Sequence, residues 1–170
     1  MHKNSNKLKR TTFLYILIAL FALSCKAQPK YELRAAWLTT VGGLDWPHNY
    51  AQSPKSIRRQ QEELCRTLDL LKEAHVNTVL FQTRIRGTVI YPSTQEPWDG
   101  CTSGNPGQNP GYDPLQFAID ECHRRGMELH AWVVTIPIGK WNGAGARNLM
   151  RRNPRLVKRI GDEAYMLALI

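Results

Sequence analysis

Apolar and polar residues beyond position 31 follow two periods, one typical of β-strands and one typical of helices. Three stretches have the composition and alternation of strands: residues 34–41 (RAAWLTTV), 78–86 (TVLFQTRIR) and 127–134 (MELHAWVV). Between them, apolar residues recur every three or four positions, which predicts two amphipathic helices. The predicted order is therefore strand, helix, strand, helix, strand.

Both predicted helices begin with the same local signal. Ser53-Pro54 and Asp113-Pro114 each place a capping side chain before a proline in the first turn. Gly126 is the expected end of the second helix. The apolar stripes that we expect to be buried are Ile57, Leu64, Leu68 and Leu71 in the first helix and Leu115, Ala118, Ile119 and Cys122 in the second.

Alternating strands and helices predict an α/β fold with parallel strands and right-handed crossovers. An open doubly wound sheet and a (β/α)8 TIM-type barrel both satisfy this pattern. The long loop at residues 87–112 favours the barrel, because barrels carry their sites on loops that follow the strands. No Gly-x-Gly-x-x-Gly follows the first strand, which disfavours a nucleotide-binding fold.

Three predicted strands are too few for a complete (β/α)8 barrel. A complete barrel needs about 250 residues, so we predict that residues 32–170 form its N-terminal portion, incomplete in this chain. After the third strand we expect an irregular segment, a short helix near Asn153-Pro154 and no closing element.

The first 24 residues predict a secretory signal. Four basic residues precede an apolar run at 13–23, which is shorter than the roughly 20 residues of a membrane span. The run ends at Ala22-Leu23-Ser24-Cys25, which resembles a lipobox, so we expect lipidation of Cys25 and an exported, membrane-anchored lipoprotein facing the periplasm or cell surface. Plain cleavage and an uncleaved anchor are the alternatives. Residues 25–31 would be a linker.

The net charge limits the classes of partner that the chain is expected to bind. Removal of residues 1–24 lowers the formal charge from +9 to +5, because four of the 23 basic residues and none of the 14 acidic ones lie there. Seven basic residues and no acid occupy residues 140–159; a solvated helix is the simpler interpretation, and contact with an anionic glycan or membrane is the alternative. The rest is close to balanced, so we expect no nucleic-acid partner.

Three cysteines remain besides Cys25, and this odd number gives no complete disulfide framework. We expect Cys65 and Cys122 to be small core residues. No CxxC or HExxH motif occurs, so we expect neither a metal nor another cofactor.

A set of short motifs, in order along the chain, carries a family resemblance. They are LRAAW (33–37), LDWP (44–47), VLFQTR (79–84), YPS (91–93), EPW (96–98), GYDPL (111–115) and ELHAW (128–132). With these motifs, residues 32–165 resemble the opening of the glycosyl-hydrolase-like-10 family. The resemblance implies a (β/α)8 barrel and a bacterial envelope lipoprotein.

The chain departs from the family pattern in two places. Thr135-Ile136-Pro137 stands where many relatives have Asn-Pro-Tyr. The family's next strand, which ends in an aspartate expected to be catalytic, has no counterpart here, and residues 167–170 do not resemble the expected continuation.

Glycoside hydrolysis needs two carboxyl groups that flank the scissile bond. Glu96, Asp45 and Asp99 lie in loops above the predicted strands, where they could reach a substrate or be solvated loop carboxylates. We expect Glu128, at the start of a strand, and Asp113, a helix cap, to be structural. The nucleophile remains unassigned, and Glu96 and Asp45 are weak catalytic candidates.

The predicted strands and their loops supply a set of binding candidates. With period two, Gln82 and Arg84 share one strand face, and His130 and Trp132 share another. Aromatic side chains can stack on sugar rings, whereas Trp46 and Trp141 are equally consistent with loop packing. The full set of expected substrate-binding residues is Trp37, Gln82, Arg84, Tyr91, Trp98, His130 and Trp132.

The resemblance implies a glycosidase acting on a cell-envelope or extracellular glycan, in which this segment contributes substrate-binding residues. A lipid-anchored carbohydrate-binding protein without catalysis is one alternative. A non-functional truncated fragment is the other.

Overall fold

A computed structural model describes residues 32–167. Three parallel strands, β1 (Ala35–Leu38), β2 (Thr78–Arg84) and β3 (Glu128–Val133), form a sheet in the order β1-β2-β3. Helix α1 (Pro54–Glu73) connects β1 to β2. A short helix α2 (Gly100–Ser103) and helix α3 (Pro114–Arg124) lie between β2 and β3. The predicted α/β class and its parallel strands are confirmed.

The two long helices begin where the capping signals predict. The Ser53 hydroxyl accepts a hydrogen bond from the Ser56 amide at 3.2 Å. Asp113 accepts from the amides of Leu115 and Gln116, both at 3.0 Å. Because these side chains satisfy amides that the helix itself leaves unpaired, the start of each helix is fixed locally.

One face of the sheet packs against α1 and α3. The apolar core there contains Leu38, Val79 and Phe81 from the sheet, Leu64 and Leu68 from α1, and Ala118 and Cys122 from α3. Each large apolar side chain buried in this way stabilises the fold by roughly 1.5–3 kcal/mol. The opposite face carries Trp37, His130 and Trp132.

The first two strands end before the residues that composition predicts. The amides of Thr40 and Val41 donate to the Gln82 side chain at 2.9 and 3.0 Å, so the chain leaves β1 after Leu38. After Arg84, the Ile85 amide donates to the Thr88 carbonyl at 3.0 Å, which turns the chain back on itself.

A second, antiparallel sheet follows β3. Its strands β4 (Pro137–Lys140), β5 (Val157–Ile160) and β6 (Glu163–Met166) lie in the order β4-β6-β5, and helix α4 (Ala144–Arg152) packs on them. Ile138, Ala146 and Ala164 form the buried core of this unit. The prediction of an irregular segment was therefore wrong. Among residues 32–167, no strand pairs with the outer edge of β3, so this sheet does not close the barrel. A 3-10 turn at Pro154–Leu156 occupies the position of the predicted short helix.

Helix α4 lies close against the loop that follows β2. A Cβ atom placed on Gly145 would lie 2.7 Å from the Gly87 carbonyl oxygen and would also contact the carbonyl of Arg86. Only a glycine fits this contact without displacing the backbone. The second sheet is consequently held against the β2 loop.

The signal peptide at 1–24, Cys25, the linker at 25–31 and residues 168–170 lie outside the described residues. Between residues 32 and 167, none of the helices combines the length and apolar character that a membrane span requires.

Candidate functional site

The buried guanidinium of Arg84 lies at the end of β2 and binds Glu96 in the following loop. Its Nε atom donates to both Glu96 carboxylate oxygens, at 2.9 and 2.7 Å, and Nη2 donates to Oε1 at 2.6 Å. Nη1 donates to the carbonyls of Val134 and Thr135, the latter at 3.2 Å. Arg84 therefore joins the ends of β2 and β3 to the Glu96 loop.

Gln82, two residues earlier, holds the loop that follows β1. Its Oε1 atom accepts hydrogen bonds from the Thr39 hydroxyl at 2.6 Å and from the amides of Thr40 and Val41. Asp45 closes the same loop, because its carboxylate accepts from the Thr39 amide at 2.8 Å. Both side chains thus fix the conformation of the loop that follows the C-terminal end of β1.

An aromatic pair stands on the sheet face that the helices leave open. The rings of Trp37 and Trp132 are 4.8 Å apart between centroids and meet edge to face at 85°. Trp37 is 62% exposed. In the strand register, Trp37 and His130 flank Leu80 across the sheet, and Trp132 lies beside Gln82.

His130 is also solvent-facing. Its ring nitrogen Nε2 lies 3.3 Å from the carboxylate of Glu128, which begins β3. The structure thus brings Trp37, His130 and Trp132 onto one sheet face, with the buried side chain of Gln82 beside them. An exposed indole with an imidazole ring near it can stack on a sugar ring and bond to its hydroxyl groups.

Tyr91 and Trp98 lie in the β2 loop and are half-buried. The backbone of Trp98 bridges to Val89 and accepts a hydrogen bond from the Gly107 amide at 2.8 Å. Asp99 caps α2 through the Cys101 amide at 2.7 Å and accepts from the Thr88 hydroxyl at 2.5 Å. These contacts fix the loop, and none of them joins Tyr91 or Trp98 to the Trp37–Trp132 pair.

Gln60, which was not among the predicted site residues, organises the loops above the sheet. This buried amide donates to the carbonyls of Asn49 at 2.6 Å and Thr102 at 3.0 Å, and it accepts from the Tyr112 hydroxyl at 2.5 Å. The backbone carbonyl of Gln60 accepts from the Trp46 indole at 2.9 Å. A polar residue within an apolar helical stripe was the available signal. Burial raises the pKa of Tyr112 well above its usual value.

The cysteines of the described chain are free thiols. Cys122 is a core residue as predicted, and burial raises its pKa to about 11. The same prediction for Cys65 was wrong, because this residue is half-buried on the polar side of α1, where its thiol donates to the Glu121 carboxylate at 3.3 Å. No group of three or more His, Cys, Asp or Glu side chains placed to hold a metal occurs among residues 32–167.

Comparison with known proteins places this architecture in a family. The model of the glycosyl hydrolase-like 10 family matches residues 32–165. The chain is 36% identical over 154 residues to the glycosyl hydrolase DigH of Escherichia coli, covering 76% of this chain and 35% of that protein. It is 32% identical over 158 residues to the glycosyl hydrolase YngK of Bacillus subtilis, covering 88% of this chain and 30% of that protein.

The chain spans about a third of the length of these relatives. The family match nevertheless covers most of the chain, including the whole parallel sheet and nearly all of the antiparallel one. The chain belongs to the glycosyl hydrolase-like 10 family.

Proposed function

We propose that the protein is a glycosidase that acts on a cell-envelope or extracellular glycan, and that this segment binds the substrate. The observation that carries the proposal is the exposed Trp37, packed on the half-buried Trp132 beside His130, on the open sheet face. Such a face would line the interior of a (β/α)8 barrel once further strands pair with β3. Family membership supports the hydrolase class.

In this proposal the sugar ring stacks on the exposed indole of Trp37, and Trp132 supports that indole from its edge. His130 would bond to hydroxyl groups, and the buried Gln82 would position the loop at residues 39–41 beside the sugar. Arg84 positions Glu96, because its guanidinium holds both carboxylate oxygens. In this proposal Arg84 does not contact the substrate itself; it holds the Glu96 loop in place beside the substrate.

Asp45 and Glu96 are the carboxylates in this segment that we propose for acid–base chemistry. Each belongs to a loop at the strand ends, as a barrel site requires. Two carboxyl groups about 5 to 9.5 Å apart are needed, and the distance sets whether the outcome is retention or inversion. The proposal is equally compatible with a second carboxyl group that comes from a later strand of the barrel.

A carbohydrate-binding protein without hydrolysis is the second candidate function. It is favoured by the contacts of the same carboxylates, since Glu96 is bound by Arg84 and Asp45 by the Thr39 amide. Both therefore have structural roles that need no catalysis.

Hydrolysis of defined glycans separates the two candidates. The full-length protein would be incubated with purified peptidoglycan glycan strands and with common neutral polysaccharides, and new reducing ends would be measured. We expect cleavage of at least one glycan, and a loss of about 100-fold or more in Glu96→Gln or Asp45→Asn if that residue transfers the proton. Asp120→Asn is the matched control, because Asp120 is exposed on α3, which packs on the other face of the sheet.

Binding without cleavage would replace the glycosidase with a carbohydrate-binding protein. A protein that neither binds nor cleaves any of the glycans tested would contradict both functions.

We also propose that the protein is exported and anchored through a lipid on Cys25, as its N-terminal sequence predicts. The wild-type protein should incorporate labelled fatty acid and fractionate with membranes, and Cys25→Ser should do neither. A labelled Cys25→Ser protein would contradict the anchor site.

A further inference from the structure

A cleft of about 540 Å³ runs beside α4, outside the aromatic face. Its lining residues are Pro97, Ala144, Arg147, Asn148, Met150 and Arg151. Pro97 directly follows Glu96, which Arg84 holds at the end of β2. The cleft is therefore adjacent to the strand ends where the proposed glycan site lies.

The cleft carries positive charge that the described part of the chain leaves uncompensated. Arg147 and Arg151 are both exposed and stand one helical turn apart on α4, so their side chains share one side of the helix. Arg147 donates to the backbone carbonyl of Asn142, and neither arginine forms an ion pair within residues 32–167.

Glu96, beside Pro97, and the two carboxylates that follow α4 in the sequence interact with other cations. Glu96 pairs with Arg84, Glu163 with Lys140 at 2.7 Å, and Asp162 lies 3.8 Å from Arg159.

The walls of the cleft are fixed before any ligand binds. Asn148 donates to the Gln95 carbonyl at 2.7 Å, and Arg152 donates to the carbonyls of Gln95 at 2.6 Å and Thr94 at 3.0 Å. The close contact of Gly145 with Gly87 holds the start of the same helix. Because the walls are fixed, binding there would cost little ordering of the protein.

We propose that this cleft is a binding site for the carboxylate groups of an acidic glycan, with Arg147 and Arg151 as the recognition residues. The inference rests on the proposed glycan function and adds the charge of the substrate to it. Guanidinium groups match carboxylates because they donate two parallel hydrogen bonds. The Pro97 ring and the part of the half-buried Met150 side chain that lines the cleft offer apolar surface to a sugar ring.

A bilayer is the less suitable partner for this surface. Ala146 is fully buried, and Leu149 and Met150 pack against the second core cluster. Helix α4 therefore has no free apolar face to enter a membrane, which interfacial helices require. A concave cleft with two cations suits a charged polymer segment.

The test compares one polymer in two charge states. Affinity of the full chain for polygalacturonate would be measured beside the same polymer after carbodiimide activation and borohydride reduction of its carboxyl groups. The variants are Arg147→Gln/Arg151→Gln and the control Arg155→Gln/Lys158→Gln, which removes the same charge from exposed positions outside the cleft. Circular dichroism confirms that each variant is folded.

We expect tighter binding of the acidic polymer, and a loss of about tenfold in the cleft variant only, as for hydrogen bonds to charged groups. Equal losses in both variants would show a diffuse charge effect and overturn the site. Unchanged affinity of the cleft variant for the acidic polymer would overturn the site as well. Binding to phosphatidylglycerol vesicles would be measured in parallel, and a loss of affinity seen only for the vesicles would also overturn it. Trp132→Ala tests the glycan function separately, because it should weaken binding of the reduced polymer, which the cleft variant should leave unchanged.

Discussion

Arg84 and Glu96 form a two-point ion pair across the first turn of the β2 loop, with Nε and Nη2 of the guanidinium on the carboxylate oxygens. The Arg84 side chain is 9% exposed and that of Glu96 is 23% exposed. A cation this buried depends on its partner. The pair therefore links the end of a core strand to a loop of the candidate site.

Loss of Glu96 should destabilise the fold. Glu96→Ala leaves the Arg84 guanidinium buried without its carboxylate, and we expect a loss of about 3 kcal/mol in the free energy of unfolding. Chemical denaturation would measure it. The double variant Arg84→Met/Glu96→Ala should lose less than the sum of the two single variants, and Arg86→Met, at an exposed arginine two residues along, should have a small effect. Additive losses would contradict the coupling.

The buried Gln60 amide should be equally sensitive. Gln60→Leu leaves the Asn49 carbonyl and the Tyr112 hydroxyl without this partner, whereas the Thr102 carbonyl keeps a backbone amide as donor. We expect a loss of about 2–3 kcal/mol in the free energy of unfolding. Gln116→Leu, at an exposed position of α3, is the control, and its effect should stay within about 0.5 kcal/mol, as at surface positions. Thermal unfolding of both variants makes the comparison. Similar midpoints for the two would contradict the role of Gln60.

How much the sequence could predict depended on how local each interaction is. Ser53 and Asp113 cap their helices through amides two or three residues away, so their pattern was readable. The Gln82 side chain instead binds residues some forty positions earlier, and no local pattern signals that contact. Because this contact takes the Thr40 and Val41 amides, the first strand ends earlier than the composition predicts.

The second sheet escaped prediction for a related reason. Its strands are four residues long, and β4 contains Pro137 and Gly139, residues that are uncommon in strands. Its stability comes from pairing with β6, more than twenty residues later, and from the small core of Ile138, Ala146 and Ala164. The candidate aromatic pair could be proposed from strand alternation, whereas its edge-to-face geometry depends on the register of three strands.

The Glu121 carboxylate should make stability depend on acid pH. The Arg124 guanidinium beside it lowers its pKa to about 2, with Arg125 and the Cys65 thiol also donating to it. Its pKa in the unfolded chain is about 4.3. Because the folded value is the lower one, the stabilisation is present above about pH 4.3 and is lost as the pH falls towards 2.

Urea unfolding of wild type and Glu121→Gln at several pH values between about 2 and 6 would test this. We expect the wild type to be more stable at the upper end, and the difference to shrink as the acid limit is approached. Asp120→Asn is the control, because Asp120 accepts from the Gln116 amide instead of an arginine. A constant difference across the range would rule out Glu121 as the source.

The central claim is that the open face of the parallel sheet binds a glycan through Trp37 and Trp132. The most direct test is the affinity of the full-length protein for the glycan that it binds or cleaves, measured for wild type, Trp132→Ala and Trp141→Ala. Trp141 packs against the second core cluster and lies beside Arg159, away from the aromatic pair. We predict a loss of about tenfold or more for Trp132→Ala, the size of effect expected of a binding hot spot, and little change for Trp141→Ala. Unchanged affinity in a folded Trp132→Ala protein would contradict the claim.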